Sequence, residues 1–179
     1  IAVRIRHMHR KNVIHRDLKP DNILLDKDFN PRISDFGLAR FITEKEEGIM
    51  TGDLGTMTYM APEVMGTNDY NKKADVYSFA MLAYHLVTGE EPFAYVNYIN
   101  LMAMVTSGER PTIPETIPEY LGVLIEQCWM NDPNERPDFE KIVEVMTTFD
   151  CVLEETDMED YNQYRHNSLD EFNIDFIAM

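Results

Sequence analysis

Cysteine is scarce. The 179-residue chain holds two, Cys128 and Cys151, and they show no metal-ligand spacing. This argues against a disulfide scaffold and makes reduced thiols in a cytoplasmic setting the expectation. The five histidines are scattered, with no HExxH pair, so no structural metal is assigned. No apolar run reaches the roughly 18 residues that a membrane span takes, so no membrane segment is expected. Positive charge is also short: 16 Lys and Arg stand against 32 Asp and Glu, a net charge of -16. That balance argues against nucleic acid as a partner, because such binding relies on neutralising phosphates with Lys and Arg.

The remaining composition is that of an ordinary globular protein, 44% hydrophobic and 27% charged, and the length suits one domain with an adequate core. The cations are unevenly spread. Residues 1–40 hold nine Lys or Arg against five Asp or Glu, and the rest of the chain holds seven against twenty-seven. A solvated basic face is the plain reading. A phosphate-meeting face is the sharper one. The chain starts at Ile1, which reads as a fragment and leaves an upstream signal peptide or anchor open.

Periodicity outlines the elements. Ile1, Ile5 and Met8 fall on one face of a helix over 1–12. Val13-Ile14, Ile23-Leu24-Leu25 and Pro31-Arg32-Ile33-Ser34 read as short strands, with a turn at Asp26-Lys27-Asp28 and a small hairpin carrying a site. Residues 43–58 have no periodicity and read as a mobile, functional loop. From Ala74 to Val87 a helix is apolar on most sides and therefore buried, ending at Thr88-Gly89. Further helices are expected over 97–107, 117–129 and 137–149, the last with Pro137 near its first turn and Asp138 favouring the dipole. Residues 150–179 carry nine acidic residues and one Arg and read as an acidic, flexible tail.

Three strings carry chemistry. His15-Arg16-Asp17-Leu18-Lys19-Pro20-Asp21-Asn22 fits H-R-D-x-x-x-x-N, Asp35-Phe36-Gly37 follows, and Ala61-Pro62-Glu63 comes later. Singly, Asp17, Asn22 and Asp35 would each read as a cap or turn residue. In this order and spacing they resemble the eukaryotic protein kinase catalytic domain. The matching positions run over residues 1–149, which leaves 150–179 as the tail. The resemblance implies the C-terminal lobe of a protein kinase-like fold, mainly α with short β-hairpins and no N-terminal lobe.

It also implies site roles. Asp17 would orient the acceptor hydroxyl and take its proton, and Lys19 would meet the transferring phosphate of ATP. Asn22 and Asp35 would hold Mg²⁺ through hard oxygen ligands. Gly37 would let the backbone turn. Leu24 would lie beneath the adenine ring, with plain core as its alternative. His15 and Phe36 would pack in a hydrophobic column that assembles in the active form. Arg16 would pair with a phosphorylated loop residue. Of Thr43, Thr51, Thr56 and Thr58, Thr51 is the preferred phosphosite, and Thr56 would bond Asp17 and Lys19. Asp75 would brace the catalytic loop through its backbone amides, and Glu63 would form a buried ion pair with Arg136.

Lys19-Pro20, Gly55-Thr56 and Tyr59 resemble the serine/threonine form, so the implied partner is a protein substrate accepting phosphate on Ser or Thr. Cys128-Trp129, Asp132-Pro133, Arg136-Pro137 and Phe139 resemble the tyrosine kinase-like group. The chain has no G-x-G-x-x-G loop, no strand Lys and no Glu to pair with it. The expectation is therefore little activity alone and an apolar floor around Leu24 exposed to water. The rivals are a truncated kinase relative acting as a scaffold or decoy, and an incomplete gene model.

Overall fold

The computed structural model describes residues 1–41, 57–67, 70–148, 151–153, 156, 159, 161 and 162. Thr43, Thr51 and Thr56 lie outside them, as do most of 43–58 and of 150–179. Among the described residues six helices dominate: α1 Ala2–Arg10, α2 Pro62–Thr67, α3 Lys72–Thr88, α4 Tyr98–Ser107, α5 Glu119–Cys128 and α6 Phe139–Thr148. Four short strands accompany them: β1 Val13–Ile14, β2 Ile23–Leu25, β3 Pro31–Ile33 and β4 Arg40–Phe41. Among the described residues no helix is long and apolar enough to cross a membrane.

The core is built around α3. Val76, Tyr77, Ala80 and Met81 on it are fully buried, as a helix apolar on most sides must be. Its ends are set by chemistry. The Asn71 side chain accepts from the Lys73 N–H at 2.7 Å, filling one of the orphan donors of the first turn. Gly89 takes a left-handed φ of 71° and donates to the His85 carbonyl, which a residue without Cβ does without strain. Around this axis α3 packs on α5, α1 on α6, α2 on α4 and α5 on α6. Trp129, buried at the end of α5, lies 6.1 Å from the Tyr84 ring.

Two sequence expectations need correcting here. The inner face of α1 is Ala2, Ile5 and His9, not Ile1, Ile5 and Met8. A buried imidazole takes the place expected of an apolar side chain because Asp75 bonds it. The strands form two separate antiparallel pairs, β2 with β3 and β1 with β4. Only the first is a local hairpin; Val13 meets Phe41 and Ile14 meets Arg40 across the intervening chain. At α6, Asp138 accepts from the Lys141 N–H at 2.9 Å, so it caps the helix and Pro137 lies just before it.

Tyr77 is fully buried, with the guanidinium carbons of Arg110 and Arg136 at 5.0 and 5.2 Å from its ring centroid. Its hydroxyl has no hydrogen-bond partner among the described residues, and burial pushes the phenol far up from its usual range. A stranded buried hydroxyl costs about 1–3 kcal/mol. Tyr77→Phe keeps the ring between both cations and is expected to raise Tm by about 2–4 °C. A fall in Tm would mean that the hydroxyl is satisfied in solution.

Candidate active site

The turn after β1 concentrates the candidate side chains. Asp17 is 8% exposed and Asn22 5%. The Asn22 amide nitrogen donates to the Asp17 carbonyl at 2.7 Å and to its Oδ2 at 2.9 Å. Lys19 Nζ stands 3.2 Å from the same Oδ2. Asp17 Oδ1 is buried with no partner among the described residues. One carboxylate oxygen is thus fixed by an amide and an ammonium, and the other is buried without a partner among the described residues. Asp17 also lines a cavity of about 10 Å³ with Tyr59, Ala61 and Tyr70, roughly the space one water needs.

This loop is held from three sides. Asp75, on buried α3, accepts the His15 N–H on Oδ2 and the Arg16 N–H on Oδ1, both at 2.9 Å. His9 Nε2 bonds the same Oδ2 at 2.8 Å. His15 is fully buried; its Nε2 donates to the Ser34 carbonyl at 3.0 Å, and its Nδ1 accepts from the Asp17 N–H at 3.3 Å. Ser34 in turn donates through its N–H and hydroxyl to the Asn22 carbonyl, at 2.8 and 3.1 Å. Ser34 therefore stitches the strand that leads into Asp35 onto the loop that carries Asn22.

A buried acid is thus flanked by a lysine and an amide, and Ser34 bonds the strand before Asp35 to the same loop. Residues 1–146 match the family described as protein tyrosine and serine/threonine kinase. The chain belongs to that family. Arabidopsis thaliana STY17, a serine/threonine-protein kinase, is 41% identical over 143 residues, 79% of this chain and 25% of that protein. STY46 from the same plant is 40% identical over 139 residues, 77% and 24% of the two chains. A Dictyostelium discoideum protein named "Probable serine/threonine-protein kinase" is 43% identical over 148 residues, 82% and 11%. The chain thus spans between about a tenth and a quarter of the length of these curated relatives.

In this kinase-family chain the remaining candidates fall as follows. Asp35 sits at φ 56°, ψ 66°, and its Oδ1 accepts from the Gly37 N–H at 3.2 Å. Asp tolerates that left-handed geometry better than most residues because its short side chain bonds locally, as here. Its carboxylate is exposed. Asn22 spends its N–H donors on Asp17, so its oxygen is the end left for a ligand. One amide oxygen and one exposed carboxylate are hard donors that fit Mg²⁺, which takes one or two carboxylates plus substrate phosphates. Among the described residues no three His, Cys, Asp or Glu side chains cluster as a metal cage. Leu24 and Phe36 are 55% and 54% exposed, and Phe36 meets His15 edge-on at 5.4 Å.

Arg16 takes a left-handed φ of 74°, and its guanidinium carbon lies 4.3 Å from the Tyr70 ring centroid. Its Nε is buried with no hydrogen bond among the described residues. The Tyr70 phenol is pushed up to about 12, first by burial and further by Asp17 and Asp75, with Arg16 pulling the other way. Glu63 and Arg136 form a bidentate pair at 2.7 and 2.9 Å. Thr58 is buried. The sequence reading missed His9, Ser34 and Tyr70. The only trace of His9 in the sequence is its helical register with Ile5.

Proposed function

We propose that this chain is the C-terminal lobe of a protein kinase that moves the γ-phosphate of ATP onto Ser or Thr. The reading places the domain at residues 1–149, followed by an acidic tail over 150–179. The arrangement at Asp17 carries it: Oδ2 fixed by Asn22 and Lys19, Oδ1 unpartnered. Phosphoryl transfer asks the protein chiefly for positioning and charge neutralisation. Oδ1 of Asp17 is free to accept a hydrogen bond from the acceptor hydroxyl and then its proton. The Lys19 ammonium, held beside Asp17, faces the negative charge of the transferring group. Asn22 Oδ1 and the Asp35 carboxylate would hold Mg²⁺, which supplies neutralisation of the phosphate oxygens.

Support for Ser or Thr as acceptor comes from Lys19-Pro20 and from the names of STY17 and STY46. The cluster from Cys128 to Phe139 favours the tyrosine kinase-like group. The Arg16 guanidinium, stacked on Tyr70 and without a carboxylate partner among the described residues, fits a role in ordering a phosphorylated loop.

The test uses a polypeptide that joins this chain to a glycine-rich loop and a strand lysine. Asp17→Asn there is expected to lower kcat by about 10²–10⁴, the range for a lost general base, with KM for ATP little changed. The 179-residue chain alone should show almost no Mg²⁺-dependent turnover. Equal kcat for Asp17→Asn would overturn the catalytic reading, and phosphotyrosine as sole product would overturn the acceptor class.

A further inference from the structure

Away from Asp17, α1, α3 and α6 enclose a cavity of about 210 Å³. Val76 and Phe139 close its base with almost no exposed surface, and its accessible wall is mostly apolar. Its rim is cationic. Arg6 and Arg10 come from α1, and Lys72 and Lys73 from the first turn of α3. Asp138 and Glu140 are the lining carboxylates. Four formal positive charges against two negative leave a surplus of two, in a chain whose net charge is -16. His9 also lines the cavity, with its ring bonded to Asp75.

The cations are not equally engaged. Arg10 grips Glu140 through Nε and Nη2 at 2.6 and 2.7 Å. Lys72 donates to Asn12 at 3.1 Å, and Lys73 to the Arg136 carbonyl. Arg6 differs. Its side chain is only 19% exposed, its nearest carboxylate oxygen is Glu140 Oε2 at 3.9 Å, and it donates no hydrogen bond among the described residues. Burial and the neighbouring Arg10 charge both lower its pKa, with Glu140 offsetting them in part. A guanidinium is a planar fork of five donors suited to carboxylate and phosphate. Here that fork is largely shielded from water, and the carboxylate nearest to it among the described residues, Glu140, stands only at ion-pair distance.

We propose that this cavity binds a phosphomonoester carried on an apolar body, with Arg6 and Arg10 taking the oxygens and the apolar stems of the lining Arg and Lys side chains meeting the body. The charge of such a group, about -1.5 to -2 at neutral pH, matches the surplus on the rim. Glu140 is the resident carboxylate that it would displace from Arg10. The same chemistry reaches the cavity on a phosphorylated aromatic side chain of a protein or on a small free phosphate ester. The site does not rest on the kinase reading; of its lining residues His9 alone touches the support of the Asp17 loop, through Asp75.

The test is an NMR titration of the 179-residue chain with phenyl phosphate, inorganic phosphate and a phosphotyrosine pentapeptide, following the Arg6 Nε–H. Phenyl phosphate should shift that signal saturably and bind at least tenfold tighter than inorganic phosphate. Arg6→Gln should weaken it at least tenfold, Glu140→Gln should strengthen it several-fold, and Asp17→Asn should leave it unchanged. Pentapeptide affinity at or above that of phenyl phosphate assigns a protein source; binding of phenyl phosphate alone assigns a small ester. Should Arg6→Gln fail to fold, the wild-type Arg6 signal and Lys72→Gln, expected to weaken binding several-fold, decide. A static Arg6 signal, or equal affinity for phenyl and inorganic phosphate, sinks the proposal.

Discussion

Arg136→Ala is expected to cost about 3–5 kcal/mol, the loss seen when one partner of a buried ion pair is removed. Against a typical domain stability of about 5–15 kcal/mol, that brings the fold to the edge of unfolding. Arg136 is 1% exposed, and every part of its fork is used. Nε donates to the Met130 carbonyl, Nη1 to Glu63 and the Lys73 carbonyl, Nη2 to Glu63 and the Asn131 carbonyl. The alanine variant strands one carboxylate and three carbonyls and opens a void beside Tyr77. Glu63→Gln should be milder, because the guanidinium keeps its three carbonyl acceptors. Arg136→Lys should recover little, since a point charge cannot replace a planar fork. Urea unfolding of the single variants and of the Glu63→Ala/Arg136→Ala pair would measure the coupling. A wild-type melt for Arg136→Ala would show that the pair is dispensable.

That ion pair was legible in the sequence, and the reason is instructive. Glu63, Arg136, Asp75 and the Asp17 loop occupy fixed positions in a family pattern, so the contacts Glu63–Arg136 and Asp75 to the loop amides followed from register. Helix α3 was legible from physics alone, because a run apolar on most sides that ends at Thr88-Gly89 has few other options; its Asn71 cap was not read. Harder were features that depend on distant partners. His9 looks like a polar interruption of α1 until Asp75, 66 residues away, is placed against it. The partner of β1 lies at Arg40–Phe41, and two-residue strands carry no periodicity to reveal it. Helix α2 is six residues long, too short for its period to stand out. The Arg16–Tyr70 stack joins two segments that nothing local connects.

The second large effect is expected at Asp75. Its carboxylate is 1% exposed and serves three donors: the His15 N–H, the Arg16 N–H and His9 Nε2. Asp75→Ala would leave all three without an acceptor, at about 1–3 kcal/mol for each buried group. Two are backbone amides of the loop that ends in Asp17. Arg16 takes a left-handed φ, a conformation that costs on the order of 1–3 kcal/mol and persists only where its surroundings enforce it. Asp75 Oδ1 is the acceptor that fixes that amide. Without it the backbone can relax toward negative φ and carry Asp17 away from Lys19 and Asn22. In the polypeptide that joins this chain to a glycine-rich loop and a strand lysine, Asp75→Ala should therefore lower kcat as well as stability, whereas Arg136→Ala should act through stability alone. Asp75→Asn should fall between, since its single oxygen can serve one amide while its NH₂ opposes the other. His9→Phe keeps both amide bonds and should leave kcat close to wild type. Hydrogen exchange at His15 and Arg16 separates the cases: large acceleration in Asp75→Ala, little in His9→Phe. Unchanged protection in Asp75→Ala would mean that the loop holds its shape without this carboxylate, and the buried acid would then be a passenger in the core.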